Sequence, residues 1–200
     1  MQPMPALHRL LAERHSPMRF RVDRDVTEHE LQVLLEAARR APSAGNSQPW
    51  AFLVARRGDR THRRLAPHLA RSSSAWAPEA GLLVVNLAQR FVAGTDFEYS
   101  EFAHYDLGQA VAHMTVQAVA LGLQAHQFRA FDRAAVEAEF AVPPHWEATS
   151  MTAIGHADDG APAHGTVTAR RERKPLSELC WPTATPGTGA AEDAELAGTA

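Results

Sequence analysis

Cysteine is almost missing from this chain. Cys180 is the one thiol in 200 residues, which excludes an internal disulfide framework and a cysteine-rich metal site. No apolar run approaches the about 20 residues of a bilayer-spanning helix. Near the N-terminus Glu13, Arg14 and His15 interrupt any signal-like stretch, so cytoplasm is the expected location and no membrane is expected as partner. A strong charge of either sign is lacking too: a net charge of −3 gives no reason to expect nucleic acid or an anionic surface as partner. No G-x-G-x-x-G follows an apolar strand, and Gly187-Thr188-Gly189 lies in a polar tail. There is no P-loop lysine and no G-x-S-x-G elbow. Eleven histidines are present, but none at H-E-x-x-H or comparable metal-binding spacing, so no metal is expected. The chain holds no self-sufficient catalytic set. An enzyme built from it has to borrow its reactivity from a cofactor.

What remains is an ordinary globular composition, 45% apolar and 22% charged, enough for one domain with a real core. One stretch organises it: Ala41-Pro42-Ser43-Ala44-Gly45-Asn46-Ser47-Gln48-Pro49-Trp50. Two prolines and a glycine keep it from extending the preceding helix. Asn46, Gln48, Ser43 and Ser47 offer fixed donors and acceptors suited to a flat heteroaromatic ligand, or else simply form a helix-to-strand connection. A helix over 5–14 carries Leu7, Leu10 and Leu11 on one face and ends at Arg14-His15-Ser16, donor types that grip phosphate or form a solvated basic turn. Thr27 and Glu30 make a capping box for a helix with Leu31, Leu34, Leu35 and Ala38 on one face.

Strands are expected over 50–54, 82–85, 124–128 and 149–154, and helices near 61–69, over 106–121 and over 132–140. Residues 72–74 read as a loop. The aromatic stretch 89–102 reads as a lid, with Trp76 and residues 91–105 as walls for a substrate. Arg170 to Lys174 is a dense basic run. From 182 onward the chain lacks bases and aromatics, and disorder is expected there.

These features resemble the nitroreductase family of flavin mononucleotide (FMN) oxidoreductases. The resemblance spans about residues 5–180. It rests on Arg14-His15-Ser16, the A-P-S-x-x-N-x-Q-P-W loop at 41–50, Asp106-Leu107-Gly108, Leu121-Gly122-Leu123, Phe131-Asp132 and Ile154-Gly155 before an arginine-rich segment. It implies an α+β fold with a mostly antiparallel central sheet flanked by helices over residues 1–180, and a tail over 181–200 outside it. It further implies an intertwined homodimer with two FMN sites at its interface.

By motif, Arg14, His15 and Ser16 hold the phosphate end, and Arg171 and Arg173 complete that grip from a C-terminal segment crossing to the partner. Pro42, Ser43, Asn46 and Gln48 line the flavin from the other subunit. The backbone of Arg129-Ala130 passes beside flavin N5, where the family usually has Gly-Gly or Glu-Gly. An arginine there makes the flavin edge more positive and favours the anionic reduced form. Many relatives place an asparagine near residues 72–74, where Ser73 is a shorter substitute.

The implied activity is ping-pong transfer of hydride from NADH or NADPH to an electron-poor small-molecule acceptor such as a nitroaromatic or quinone. Flavin, enal or semialdehyde reductases, a flavin-cleaving branch and an FMN-binding dimer without reductase activity share the same motifs.

Overall fold

The computed structural model describes residues 6–158 and 173–181. These belong to two separate units of the chain, which divide between Ala163 and His164.

The first unit is built on four antiparallel strands in the order β1-β2-β4-β3: β1 Trp50–Arg56, β2 Leu82–Gln89, β3 Gln124–Phe128 and β4 Trp146–Gly155. The central strand β2 is apolar almost without alternation, because both faces of the sheet are covered there. On one face Leu82, Val84 and Ile154 pack under α2 (Glu28–Arg39) and α5 (Ala103–Ala120), meeting Leu31, Leu34, Ala110, Met114 and Ala118. On the other face Leu83, Val85, Met151 and Ala153 meet Leu65, Leu69, Trp76, Phe131 and Val136. The fold is α+β, as the family resemblance implies.

Local signals explain most boundaries. Thr27 Oγ1 accepts from Glu30 N at 3.2 Å and Glu30 Oε2 accepts from Thr27 N at 2.7 Å, the reciprocal box that starts α2. Helix α5 ends in a Schellman pair, with Leu123 N donating to Ala118 O and Gly122 N to Val119 O while Gly122 takes φ 74°. Between Asn86 and Leu87 the β2–β4 register shifts, pairing Asn86 with Ser150 and Leu87 with Ala148. Thr149 is the extra residue of this bulge, a device that re-aims a side chain out of the ladder.

Four expectations need correction. The first helix, α1, covers only Arg9–Glu13, because the His8 ring caps Leu10 N; Leu7 and Leu11 stay exposed rather than forming a buried face. The helix expected over 61–69 is α3 (Arg60–Leu65) followed by a 3₁₀ turn, Ala66–His68, where Pro67 cannot donate to the helix ladder. Residues 72–74 are not a loop but the end of a one-turn helix, α4 (Arg71–Ser74). Trp76 is no substrate wall: it is 6% exposed, stacks on His126 at 4.4 Å and donates its indole N–H to Ser72 O. A helix α6 (Arg133–Glu139), capped by the Asp132 side chain, completes this unit. Among the described residues no helix is long and apolar enough to cross a membrane.

Of the second unit, residues 173–181 are described. They form one 3₁₀ turn, Leu176–Glu178, with Leu176, Leu179 and Trp181 exposed. Arg171 and the tail from 182 lie outside the described residues.

Candidate active site

The chain leaves α1 at Arg14 in extended conformation and runs along β3. His15 N donates to Gln124 Oε1 at 3.3 Å, and the His126 ring bonds through Nδ1 to Pro17 O at 2.8 Å. This path brings Arg14 and Ser16 together, with Arg14 Nη1 at 3.5 Å from Ser16 Oγ. The His15 ring turns back to Glu13 O. Arg14 reaches a pocket of about 490 Å³ between α5 and the β3–β4 edge. Its walls alternate in character: Leu11, Leu107 and Val111 are apolar, whereas Thr115, Gln127, Thr149 and Ser150 bring three hydroxyls and a carboxamide. Gln127 is held by a hydrogen bond from its Nε2 to Thr115 Oγ1, which itself donates to Val111 O at 2.7 Å. Below, the buried Asn86 donates to Ser150 Oγ at 3.0 Å and Thr152 Oγ1 at 2.9 Å, fixing Ser150 at the pocket floor.

Two residues past Gln127 the chain makes a tight turn in which Phe131 N donates to Arg129 O at 3.0 Å. Ala130 O is turned away, accepting from Ala70 N at 3.0 Å and from the Ser73 hydroxyl. The N–H groups of Arg129 and Ala130 themselves donate to nothing among the described residues. Such unpaired donors, in the turn that follows the pocket residue Gln127, are what a ligand acceptor atom needs. The Arg129 guanidinium lies 5.5 Å from the centre of the Phe131 ring. Ser73 is buried and its hydroxyl is taken up by the carbonyls of Ala70 and Ala130, so it supports this turn and is no substitute for a ligand-binding asparagine.

The loop at 41–50 is built by its own small residues. Ser43 Oγ accepts from Gln48 N at 3.0 Å, and Gln48 Nε2 reaches Asn46 Oδ1 at 3.3 Å. Gly45, Asn46 and Gln48 all adopt positive φ, at 58°, 56° and 49°. For Asn46 and Gln48 that conformation costs on the order of 1–3 kcal/mol each, a strain that gathers at functional sites. The loop is pinned from outside by buried Asp106, whose Oδ2 accepts from Ala44 N at 3.0 Å, and by Tyr99, whose hydroxyl donates to Ser47 O at 2.9 Å. Pro42, Asn46 and Gln48 point outward, exposed, and none of the loop residues lines the pocket that Arg14 enters. The structure thus joins Arg14 and Ser16 beside a pocket that Gln127 also lines, with the 129–130 turn following Gln127 in the chain, and holds Pro42, Ser43, Asn46 and Gln48 at another place.

Sequence reasoning missed several members of this site. Thr149 and Ser150 had one visible sign, two hydroxyls in an otherwise apolar strand. His104, at the start of α5, falls in the 91–105 stretch expected as a wall, but its pairing with Glu147, at the start of β4, had no sign, because their meeting is a matter of tertiary structure. Arg90 Nη1 reaches Glu147 Oε2 at 2.9 Å, Arg133 Nη1 reaches Oε1 at 2.7 Å, and His104 Nε2 lies 3.6 Å from Oε2. Among the described residues no group of three or more His, Cys, Asp or Glu is arranged to hold a metal ion.

Comparison with known proteins agrees with this fold. The model of the Nitroreductase family matches residues 11–97. An uncharacterised 15.4 kDa protein of Mycolicibacterium smegmatis is 35% identical over 138 residues, covering 64% of this chain and 88% of that protein. A putative NADH dehydrogenase/NAD(P)H nitroreductase of Streptomyces coelicolor is 28% identical over 67% of this chain and 75% of its own. Among solved structures, an oxidoreductase containing FMN superposes with a TM-score of 0.80 at 25% identity, over 94% of this chain and 96% of the other. A putative nitroreductase in complex with FMN from Desulfovibrio desulfuricans gives 0.68 at 26% identity, over 88% and 96%. The fold and the family match define a nitroreductase-like α+β protein. The chain belongs to the nitroreductase family.

Proposed function

We propose that the protein is an FMN-dependent oxidoreductase that takes reducing equivalents from NADH or NADPH and delivers them to an electron-poor acceptor such as a quinone or nitroaromatic. The observation that carries this reading is the pair of unpartnered N–H groups at Arg129 and Ala130, two residues beyond a pocket that Arg14 enters. FMN, when bound, supplies two-electron chemistry through flavin N5. The residues fit that cofactor. Arg14 and Ser16 suit its phosphate, as guanidinium and hydroxyl form charge-assisted bonds. The hydroxyls of Thr115, Thr149 and Ser150 suit a polyhydroxyl chain, and a free backbone donor suits a ring nitrogen. His15 is anchored through its backbone to β3, so its part is to hold the turn. The relatives named for FMN and for NAD(P)H nitroreduction support both co-substrates.

The reading includes a homodimer. Its support is the separation of the two residue sets, since Pro42, Ser43, Asn46 and Gln48 reach no pocket shared with Arg14 in one chain and would instead complete the partner's site. A groove of about 560 Å³ between α2 and α5, walled by Val33, Ala37, Ala112 and Val116, offers an apolar face for a second copy. In this reading the family resemblance assigns Arg171 and Arg173 to the phosphate as well. Residues 1–180 make up the FMN-binding domain in this reading, and the protein works in the cytoplasm.

The deciding experiment is an anaerobic absorbance scan of purified protein before and after NADH or NADPH. An oxidised-flavin spectrum that bleaches is the expected result. Flavin that does not bleach points to a binding-only dimer, and protein that ignores added FMN removes the site assignment.

A further inference from the structure

A hydroxyl has one hydrogen and two lone pairs, so what it offers a ligand depends on what its neighbours have taken. Three hydroxyls line the candidate pocket, those of Thr115, Thr149 and Ser150. Thr115 spends its hydrogen on Val111 O at 2.7 Å and one lone pair on the Gln127 carboxamide. It therefore shows a ligand an acceptor and no donor. Thr149 turns its hydrogen to Glu147 O at 3.5 Å. Ser150 is set the other way. Its Oγ accepts from Asn86 Nδ2 at 3.0 Å, and none of the described residues takes its hydrogen.

Asn86 enforces this polarity from beneath the pocket floor. The residue is 0% exposed on β2, and its Nδ2 donates to Thr152 Oγ1 at 2.9 Å as well as to Ser150. Its Oδ1 accepts from nothing among the described residues. Turning the carboxamide over would bury two N–H donors without acceptors in place of one carbonyl, and orphaned N–H groups are the rarer of the two. The Ser150 hydrogen is thus kept off Asn86 and left for the pocket.

We propose that Asn86 is a positioning residue: it makes Ser150 the donor of a donor–acceptor pair with Thr115, and this pair selects the hydroxyl chain of the cofactor. The inference rests on the FMN reading above. A carbonyl group satisfies Ser150 alone and an ammonium Thr115 alone. A polyhydroxyl chain has a lone pair for the first and a hydrogen for the second. Asn86 is not among the residues that line the pocket, so it acts through Ser150.

The test is a double-mutant cycle read by fluorescence titration of FMN into the apo-protein, which needs no turnover. Ser150→Ala is expected to weaken FMN binding about 3- to 10-fold, the range of one neutral hydrogen bond. Asn86→Leu keeps the branching of asparagine and removes the donor, which frees the Ser150 hydroxyl to turn away, so binding weakens here too. Added to Ser150→Ala, the same change costs less than about twofold, because the hydroxyl it orients is already gone. Asn86→Ala takes its place in the cycle where Asn86→Leu does not fold. Thr115→Val removes the acceptor at nearly constant shape and is expected to cost as much as Ser150→Ala. Unchanged FMN affinity in any of the single variants overturns the proposal. So does a loss from Asn86→Leu that is equal with and without the Ser150 hydroxyl, since Asn86 would then act by packing alone. Wild-type protein that binds no FMN sinks the cofactor reading instead, so the two failures are read from different proteins.

Discussion

At the scale of single residues, the site depends on side chains whose partners within the chain do not use up their bonding capacity. Arg14 has one long contact, to Ser16 Oγ, and the rest of its guanidinium is left for a ligand. Hydrogen bonds to charged groups contribute about 1.5–3 kcal/mol, so Arg14→Ala should weaken FMN binding roughly 10- to 100-fold with little effect on folding. Fluorescence titration of FMN into the apo-protein checks this, and an unchanged affinity would remove Arg14 from the phosphate site. In the proposed reading Arg129 acts through its charge. Its guanidinium sits over Phe131 rather than in an ion pair, and among the described residues no carboxylate neutralises it. Charge reversal in Arg129→Glu should therefore lower the flavin midpoint potential, on the order of tens of millivolts for a two-electron couple. A redox titration showing no downward shift would mean the side chain lies too far from the cofactor to matter.

At the scale of elements, α5 and the 41–50 loop depend on each other. Asp106 is 2% exposed, and its Oδ2 accepts Ala44 N, which ties the first turn of the helix to the strained loop. Asp106→Ala leaves that part-buried amide without its charged acceptor, a loss of about 1–3 kcal/mol. Urea denaturation should report this as a lower midpoint with an unchanged slope; a midpoint equal to wild type would show that the loop is held by Tyr99 and its own bonds alone.

How much of this was legible in the sequence follows from how local each signal is. The capping box of α2, the Gly122 stop of α5 and the loop at 41–50 were readable because each is written within a few consecutive residues. The double coverage of β2 showed as a nearly unbroken apolar run. The bulge that turns Thr149 into the pocket did not show, since it is a property of pairing between β2 and β4. Trp76 was misread as a substrate wall because an aromatic near a polar loop looks the same whether it faces solvent or, as here, stacks under His126. The meeting of His104 with Glu147 spans 43 positions by subtraction of their numbers, 147 − 104, and no pattern announces it.

At the scale of the whole molecule, the acid side of the stability profile should carry the mark of His156. This residue directly follows β4 and is 9% exposed, with its backbone carbonyl accepting from Arg21 N at 2.9 Å. Burial pushes the imidazole below its ordinary value, and the nearby Arg24 and Arg21 add to that; Glu30 and the Gly122 backbone pull the other way. The folded state therefore keeps the ring neutral where the unfolded chain, with a value near about 6.5, has already taken up a proton. Protons bound preferentially by the unfolded state destabilise the fold. Stability is full above about pH 6.5 and is lost as pH falls from there toward the lowered folded value, with a slope of at most about 1.4 kcal/mol per pH unit for this one group. Glu30, whose carboxylate is held below its usual range mainly by the Thr27 backbone amide, adds its own loss at lower pH, below the ordinary carboxylate value. The two contributions are thus separated along the pH axis. His156→Gln keeps a polar side chain of similar length and cannot take up the proton. Urea midpoints of the apo-protein measured at pH 7 and pH 5.5 should differ less in the variant than in the wild type. Equal pH dependence in the two proteins would mean that His156 is solvated well enough in the native state to protonate without opening the end of the sheet.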